Sequence, residues 1–244
     1  MNGVWDGHAT GPALSPKATA NKWIIGETAR TLAEVNEALE NYRFDTAADA
    51  LYKFVWGKVC DWYVEFAKPL FDGPDAAETR QTMAWVLDQS MILLHPFMPF
   101  ITEELWHAMA TSEGTTRPYD LILAEWPNPQ AQVDASAKAE VEWLIKLTSD
   151  VRTAKNELGL APGAKLPAWF PDESQRSVIE PKLASLERVA RLSPIAFGAP
   201  PEGAYLQFVN QGVEVIVPLE GLIDIDAEKA RLTKALDAAS KEMK

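Results

Sequence analysis

From Lys22 onward, Ile25, Thr28, Leu32, Val35, Leu39 and Tyr42 recur at steps of three or four residues. That period places them on one face of an amphipathic helix, predicted to end near Asn41. Between Asp45 and Lys68 one face carries Leu51, Val55, Val59, Trp62 and Phe66, and the adjoining face carries Tyr52, Trp56, Cys60 and Tyr63. Only Lys53, Gly57, Asp61, Glu65 and Lys68 form a polar stripe. The pattern therefore predicts a central helix buried around most of its circumference, with Trp62 and Phe66 in the core and Lys53 and Glu65 in water. After Pro69 and the Asp72-Gly73-Pro74 turn, Met83, Leu87, Met91 and Leu94 mark a third helix.

His95-Pro96 ends that helix, and Pro99 can open the next one as its first residue. Residues 111–129 read as a turn-rich connection containing an extended Leu121-Ile122-Leu123. A long helix is expected from about Gln130 to Leu158, with Val141, Leu144, Thr148 and Val151 inward, until Gly159 and Pro162 stop it. Beyond Gly163 the texture changes. Leu166–Phe170 is a short extended segment, 173–192 is helical with Pro181 interrupting, and 205–209 and 213–217 alternate around Asn210-Gln211-Gly212 as a β-hairpin. A final helix is expected from Asp226, with Ile225, Lys229, Leu232, Leu236, Ala239 and Met243 repeating at fours and threes, the seam of a coiled coil.

The expected class is mainly α: an antiparallel helical bundle over 21–160 after an irregular Gly/Pro-rich lead-in at 1–20. A small α/β domain at 161–225 and the start of a coiled coil at 226–244 follow.

Charge and chemistry narrow the function. A net charge of −12 opposes RNA binding as a whole-chain field, so any such binding needs local sorting of cations or a basic surface elsewhere on a longer parent chain. No run of about 18 apolar residues exists, and the first residues lack a signal-peptide pattern, so a cytoplasmic protein with no membrane partner is expected. The single cysteine, Cys60, excludes an internal disulfide and falls in an apolar pattern where a buried thiol is expected. His8, His95 and His107 are far apart in sequence and make no metal-ligand spacing. There is no phosphate-binding glycine loop and no Gly-x-Ser-x-Gly elbow. No catalytic residue, metal or cofactor is expected on this chain.

What remains is chemistry suited to RNA. Arg43 and Phe44 stand at the turn entering the central helix, and Lys53, Trp56 and Lys58 lie on it, where aromatic rings can stack on bases. Arg152 and Lys155 near the end of the long helix are candidate phosphate partners, although cations there also complement the helix dipole. Lys229, Arg231 and Lys234 give the terminal helix a basic excess, which suits a solvated coiled-coil flank or an arm on phosphates.

Several segments occur together. Ala50-Leu51-Tyr52-Lys53-Phe54-Val55-Trp56, Cys60-Asp61-Trp62-Tyr63, Lys68-Pro69, the run from Leu94 to Trp106 and Pro218-Leu219-Glu220-Gly221-Leu222-Ile223-Asp224 resemble bacterial valyl-tRNA synthetases in order and spacing. The likeness covers nearly the whole chain from Asn21. It implies the anticodon-binding region of a class I synthetase whose parent activates valine with ATP, transfers it to tRNA and edits mischarged threonine. The His-Ile-Gly-His and Lys-Met-Ser-Lys-Ser type segments that hold ATP, and the editing insertion, are absent from this sequence. The resemblance therefore implies a segment inactive by itself, with valine tRNA and the catalytic core of the parent as partners and no DNA. A helical protein-interaction module descended from a synthetase is the alternative, and a free-standing enzyme with a composite site is the third.

Overall fold

The computed structural model describes residues 16–112, 114–128, 131, 133–225, 229–231, 233, 234 and 236. The irregular segment expected at 1–20 lies outside the described residues up to position 15, as does most of the terminal coiled coil. Among the described part of that terminal helix, Lys229, Arg231 and Lys234 are helical and exposed. Leu236, on the expected seam, is 68 % exposed, and no coiled-coil packing is seen among the described residues.

The chain divides into two compact units, 1–141 and 142–244. In the first, α1 (Thr19–Glu40) is followed by α2 (Phe44–Phe54), a π-helical stretch (Val55–Tyr63) and α3 (Val64–Leu70) running on without a break. α4 (Ala76–Leu94) and α5 (Pro99–Ser112) complete the bundle, and Pro99 opens α5 as expected. The helix buried most completely is α4, not the helix after Asp45. Trp85, Val86, Leu93 and Ala84 are sealed in it, and so are Thr79, Thr82, Asp88 and Ser90. The sequence pattern marks one side of α4, through Met83, Leu87, Met91 and Leu94, and does not place these polar residues. In the fold they are mostly satisfied internally: Arg117 donates to both oxygens of Asp88 at 3.0 and 2.7 Å, and Ser90 Oγ donates to the Val86 carbonyl at 2.7 Å. A hydrogen-bonded polar side chain is buried at little cost.

The π-helical stretch revises the face drawn for the segment from Asp45 to Lys68. Buried positions run Leu51, Phe54, Val59, Tyr63 and Phe66. Leu51, Val59 and Phe66 are buried as expected, but the five-residue step from Phe54 to Val59 is the wide turn of a π-helix and puts Phe54 and Tyr63 inward in place of Val55 and Trp62. Trp62 is consequently half-buried rather than core, stacked on Phe66 at 6.1 Å between ring centroids, and Tyr63 takes the sealed place. Cys60, expected inside, is exposed, and Glu65 is half-buried. Lys53 is exposed as expected.

Two further expectations change. Leu121–Leu123 is a 3-10 turn, not an extended segment. Glu103 fixes it by accepting hydrogen bonds from the Leu121 and Ile122 amides at 2.7 and 3.2 Å. The long helix α6 (Ala135–Glu157) starts at Asp134, whose carboxylate accepts from the Ala137 amide at 2.9 Å, and not near Gln130. That is an N-cap, which satisfies an otherwise orphaned donor. Gly159, at φ +66°, ends the helix in the left-handed region.

In the second unit β1 (Leu166–Phe170), β2 (Leu192–Phe197), β3 (Tyr205–Asn210) and β4 (Val213–Pro218) form one sheet in the order β2-β1-β4-β3. β1 and β2 are parallel, and the other neighbours are antiparallel. β1 and the hairpin stand where the alternation placed them. β2 was not expected, because Ser193-Pro194 interrupts its pattern. It pairs only with β1 and so forms a sheet edge, where proline's missing amide donor is tolerated. Trp143 of α6 and Asn210 of β3 exchange hydrogen bonds, indole Nε1 to the Asn210 carbonyl at 3.2 Å and Asn210 Nδ2 to the Trp143 carbonyl at 3.1 Å. Together with Leu147 and Val151, both sealed, they tie the later turns of α6 into this unit.

Candidate nucleic-acid interface

The turn between α1 and α2 is made by local hydrogen bonds. The Tyr42 amide donates to the Leu39 carbonyl at 3.0 Å and the Arg43 amide to the Ala38 carbonyl at 2.7 Å, closing α1. Tyr42 adopts φ +57°, the left-handed region that a non-glycine residue rarely occupies. The ring, assigned to the inward face by periodicity, is instead 81 % exposed. The reason is that the helix has already ended at Glu40, so the three-four period no longer applies. Phe44 follows at 58 % exposure, and Tyr52 and Trp56, four residues apart and hence on one helix face, are 65 and 58 % exposed. Four large aromatic side chains in water at one helix turn and the helix it opens are unlike the scattered single apolar residues of an ordinary surface. Tyr42 and Tyr52 were not among the sequence candidates, and the signal that could have found Tyr42 is its position after the helix stop.

Beside them lies a cavity of roughly 630 Å3 whose lining includes Glu34, Glu37, Asn41, Arg43, Asp49 and Lys53. The candidate cations are engaged there. Arg43 Nε and Nη2 donate to the two oxygens of Asp45 at 3.2 and 3.3 Å, and Lys53 pairs with Asp49 at 2.6 Å. The Arg43 hydrogen bonds hold the Asp45 carboxyl below its usual range, and those of Asp49 raise Lys53. All four side chains are more than half exposed, so these pairs are weak and exchangeable.

Lys58 is different. It is bound to Glu27, a carboxylate 4 % exposed that Arg30 also grips at 2.8 Å. Burial works to raise the Glu27 carboxyl, but hydrogen bonds and charge from Arg30 and Lys58 outweigh it and hold the group low. This cation secures the π-helical stretch to α1.

In the second unit Arg152 is exposed. Lys155 is 2 % exposed and donates to the Ala164 carbonyl. Its pKa is lowered by burial first and then by the charges of Arg191 and Arg152. A buried ammonium does not present itself to a phosphate, so of this pair only Arg152 keeps the geometry of a surface contact. Arg191, whose charge reaches the same spot, was invisible in sequence because it stands far along the chain. Arg231 Nη2 reaches the Glu157 carbonyl at 3.4 Å, while Lys229 and Lys234 are exposed.

One group of metal-type donors occurs among the described residues. His107 Nε2 is 3.1 Å from both Glu103 Oε1 and Asp120 Oδ1. Both Glu103 oxygens already serve the 3-10 turn, which accounts for the arrangement without an ion. No helix among the described residues is long and apolar enough to cross a membrane.

Residues 21–168 match the model of the anticodon-binding domain of tRNA ligases, and so contain the α1–α2 turn and its aromatic rings. Over its whole length the chain is 51 % identical to a valine–tRNA ligase of Cereibacter sphaeroides and 42 % identical to one of Agrobacterium fabrum, covering 24 and 26 % of those proteins. A valine–tRNA ligase of Sphingopyxis alaskensis is 47 % identical over 93 % of the chain and 28 % of its own length. The chain thus spans about a quarter of the length of the curated relatives it matches, in their C-terminal part. With an anticodon-binding match across most of its length and valine–tRNA ligases as its relatives, the chain belongs to the anticodon-binding region of the valine–tRNA ligase family.

Proposed function

We propose that this chain binds valine tRNA at its anticodon end and positions it for ATP-dependent aminoacylation by a catalytic core that lies in another part of a longer ligase. The observation that supports this reading best is the set of exposed rings, Tyr42, Phe44, Tyr52 and Trp56, beside Arg43 and Lys53 within the matched region. Rings offer stacking surfaces to unpaired anticodon bases, and the two cations supply charge to the backbone. Binding energy gathered far from the reacting ester then fixes the acceptor end relative to the core. Such a protein works in the cytoplasm, needs ATP only through its catalytic core, and has no membrane or DNA partner. By itself the chain is proposed to be inactive, because it carries neither ATP-holding segment of a class I synthetase.

The test is equilibrium binding at low salt, comparing valine tRNA with a tRNA bearing another anticodon. Trp56→Ala should weaken binding to valine tRNA by about 1–3 kcal/mol. Lys53→Ala should flatten the dependence of log affinity on log salt by about 0.7–0.9. Equal affinity for the two tRNAs, unchanged by Trp56→Ala, would sink the proposal and leave the protein-interaction reading.

A further inference from the structure

The second unit gathers cations at one end of its sheet. Lys165 and Arg191 immediately precede β1 and β2, and the parallel register of Leu166 with Leu192 sets them level on adjacent strands. The Leu166 amide donates to the Arg191 carbonyl at 2.9 Å, which fixes that register. Both side chains are exposed. Lys155, buried on the last turns of α6, donates to the Ala164 carbonyl, one residue before Lys165, and its ammonium feels the charges of Arg191 and Arg152. Arg231 Nη2 reaches the Glu157 carbonyl at 3.4 Å, so the basic terminal helix meets the same end of α6.

Like charges level on neighbouring strands destabilise a sheet unless something opposes them. Here no carboxylate does. Among the described residues Lys155, Lys165 and Arg191 make no ion pair, and neither 158–171 nor 188–201 contains an aspartate or glutamate. Three other exposed cations, Arg43, Lys53 and Lys146, each have a carboxylate partner, in Asp45, Asp49 and Asp150. Arg191 also stands at φ +57°, a left-handed conformation that strains a non-glycine residue, and such strain collects at functional positions. Because Lys165 and Arg191 are open to water, a small free anion there would keep its hydration and be held weakly. A polyanion with phosphates in series gains by releasing counterions at several contacts together.

We propose that Lys165 and Arg191, with Arg152 beside them, form a phosphate-binding site at the shared end of β1 and β2 that takes the backbone of a tRNA. Lys155 touches no phosphate; it anchors the loop before β1 and adds positive potential from below the surface. The inference rests on the tRNA reading and adds to it a contact made by the second unit alone. That contact is blind to base sequence, since phosphates are common to every tRNA. Anticodon preference and Trp56→Ala read the α1–α2 turn, whereas Lys165 and Arg191 read the sheet end, so the two fail separately.

The experiment follows acetylation of Lys165 by mass spectrometry in the chain alone, with valine tRNA, with a tRNA bearing another anticodon, and with inorganic phosphate at matched ionic strength. Both tRNAs should slow the reaction roughly fivefold or more, and inorganic phosphate should leave it nearly unchanged. Lys165→Gln combined with Arg191→Asn should flatten the slope of log affinity against log salt by about 1.4–1.8 for both tRNAs, two contacts at about 0.7–0.9 each. Asparagine tolerates the left-handed backbone, so the melting temperature of this variant should not fall. Lys165→Arg with Arg191→Lys keeps both charges and should keep the slope. Unchanged acetylation while tRNA is bound, or a slope that the charge-removing pair leaves as it was, overturns this inference alone, and no tRNA binding at all overturns the proposed function with it. Protection by inorganic phosphate equal to that by tRNA assigns the site to a small free anion, and protection by valine tRNA only assigns it to anticodon reading. Either result also overturns it.

Discussion

At the scale of single residues, charge placement separates structure from recognition. Glu27 is buried and gripped by Arg30 and Lys58, whereas Asp45 and Asp49 hold their cations in water. Replacing Glu27 by Gln removes an anionic acceptor of two charged donors, and at pH 7 it should cost about 1–3 kcal/mol. The pH dependence has a definite sign. The Glu27 carboxyl is held below its ordinary value, so its contribution is complete above the unfolded-chain pKa of about 4.3 and disappears as pH falls through the depressed value. Melting curves of the wild type and Glu27→Gln should therefore stay apart above that range and converge as pH falls through the depressed value. A gap that does not narrow at all on acidification from the ordinary carboxylate range would show that packing, not ionisation, carries the effect. From sequence Lys58 looked equivalent to Lys53, since both are lysines beside Trp56. What distinguishes them is a partner 31 residues away, and no local pattern reports that.

At the scale of elements, helices were legible wherever burial followed a fixed period, and misread where the period shifted or the buried side chains were polar. α1, the start of α5 and the β3–β4 hairpin have their expected places. The segment after Asp45 has its expected length and keeps Leu51, Val59 and Phe66 inward, but Phe54 and Tyr63 replace Val55 and Trp62, because the π-helical turn at 55–63 inserts a longer step. This has an energetic consequence. Trp62→Ala should cost only about 1–2 kcal/mol, in keeping with its half-burial, and Tyr63→Ala about 3–5 kcal/mol. Tyr63 also donates to Asn21 Oδ1 at 2.8 Å, inside a network that includes Thr79 and Glu78. Thermal denaturation of the two variants checks the ranking, and a larger loss at Trp62 would restore the unbroken α-helical face. α4 differs: the period of Met83, Leu87, Met91 and Leu94 marks one side only, and the burial of Asp88 depends on Arg117, which is distant in sequence.

At the scale of the whole molecule, the candidate site was legible as a region and only partly as a set of side chains. Arg43 and Lys53 line one cavity, Phe44 and Trp56 are exposed, Lys58 and Lys155 are occupied in the fold, and Tyr42 emerged only with the helix stop. The net charge of −12 looked like an objection to RNA binding. Under the proposed function, the ion pair of Arg43 with Asp45 gives it another meaning: tRNA binding at Arg43 would be an exchange, in which an RNA phosphate displaces the carboxylate that is its cation's partner. Freed from Arg43, the Asp45 carboxyl loses the main influence holding it low and takes up a proton more readily. Association is then coupled to proton uptake. Affinity should rise as pH falls from about 5 towards about 4, into the ordinary carboxylate range. The apparent calorimetric heat in that window should also depend on the ionisation enthalpy of the buffer, and Asp45→Asn should abolish both effects. In that variant the RNA would meet an arginine with no carboxylate at position 45 to displace, so the carboxylate acts as a built-in competitor that sets how strongly acidity tunes the grip on tRNA.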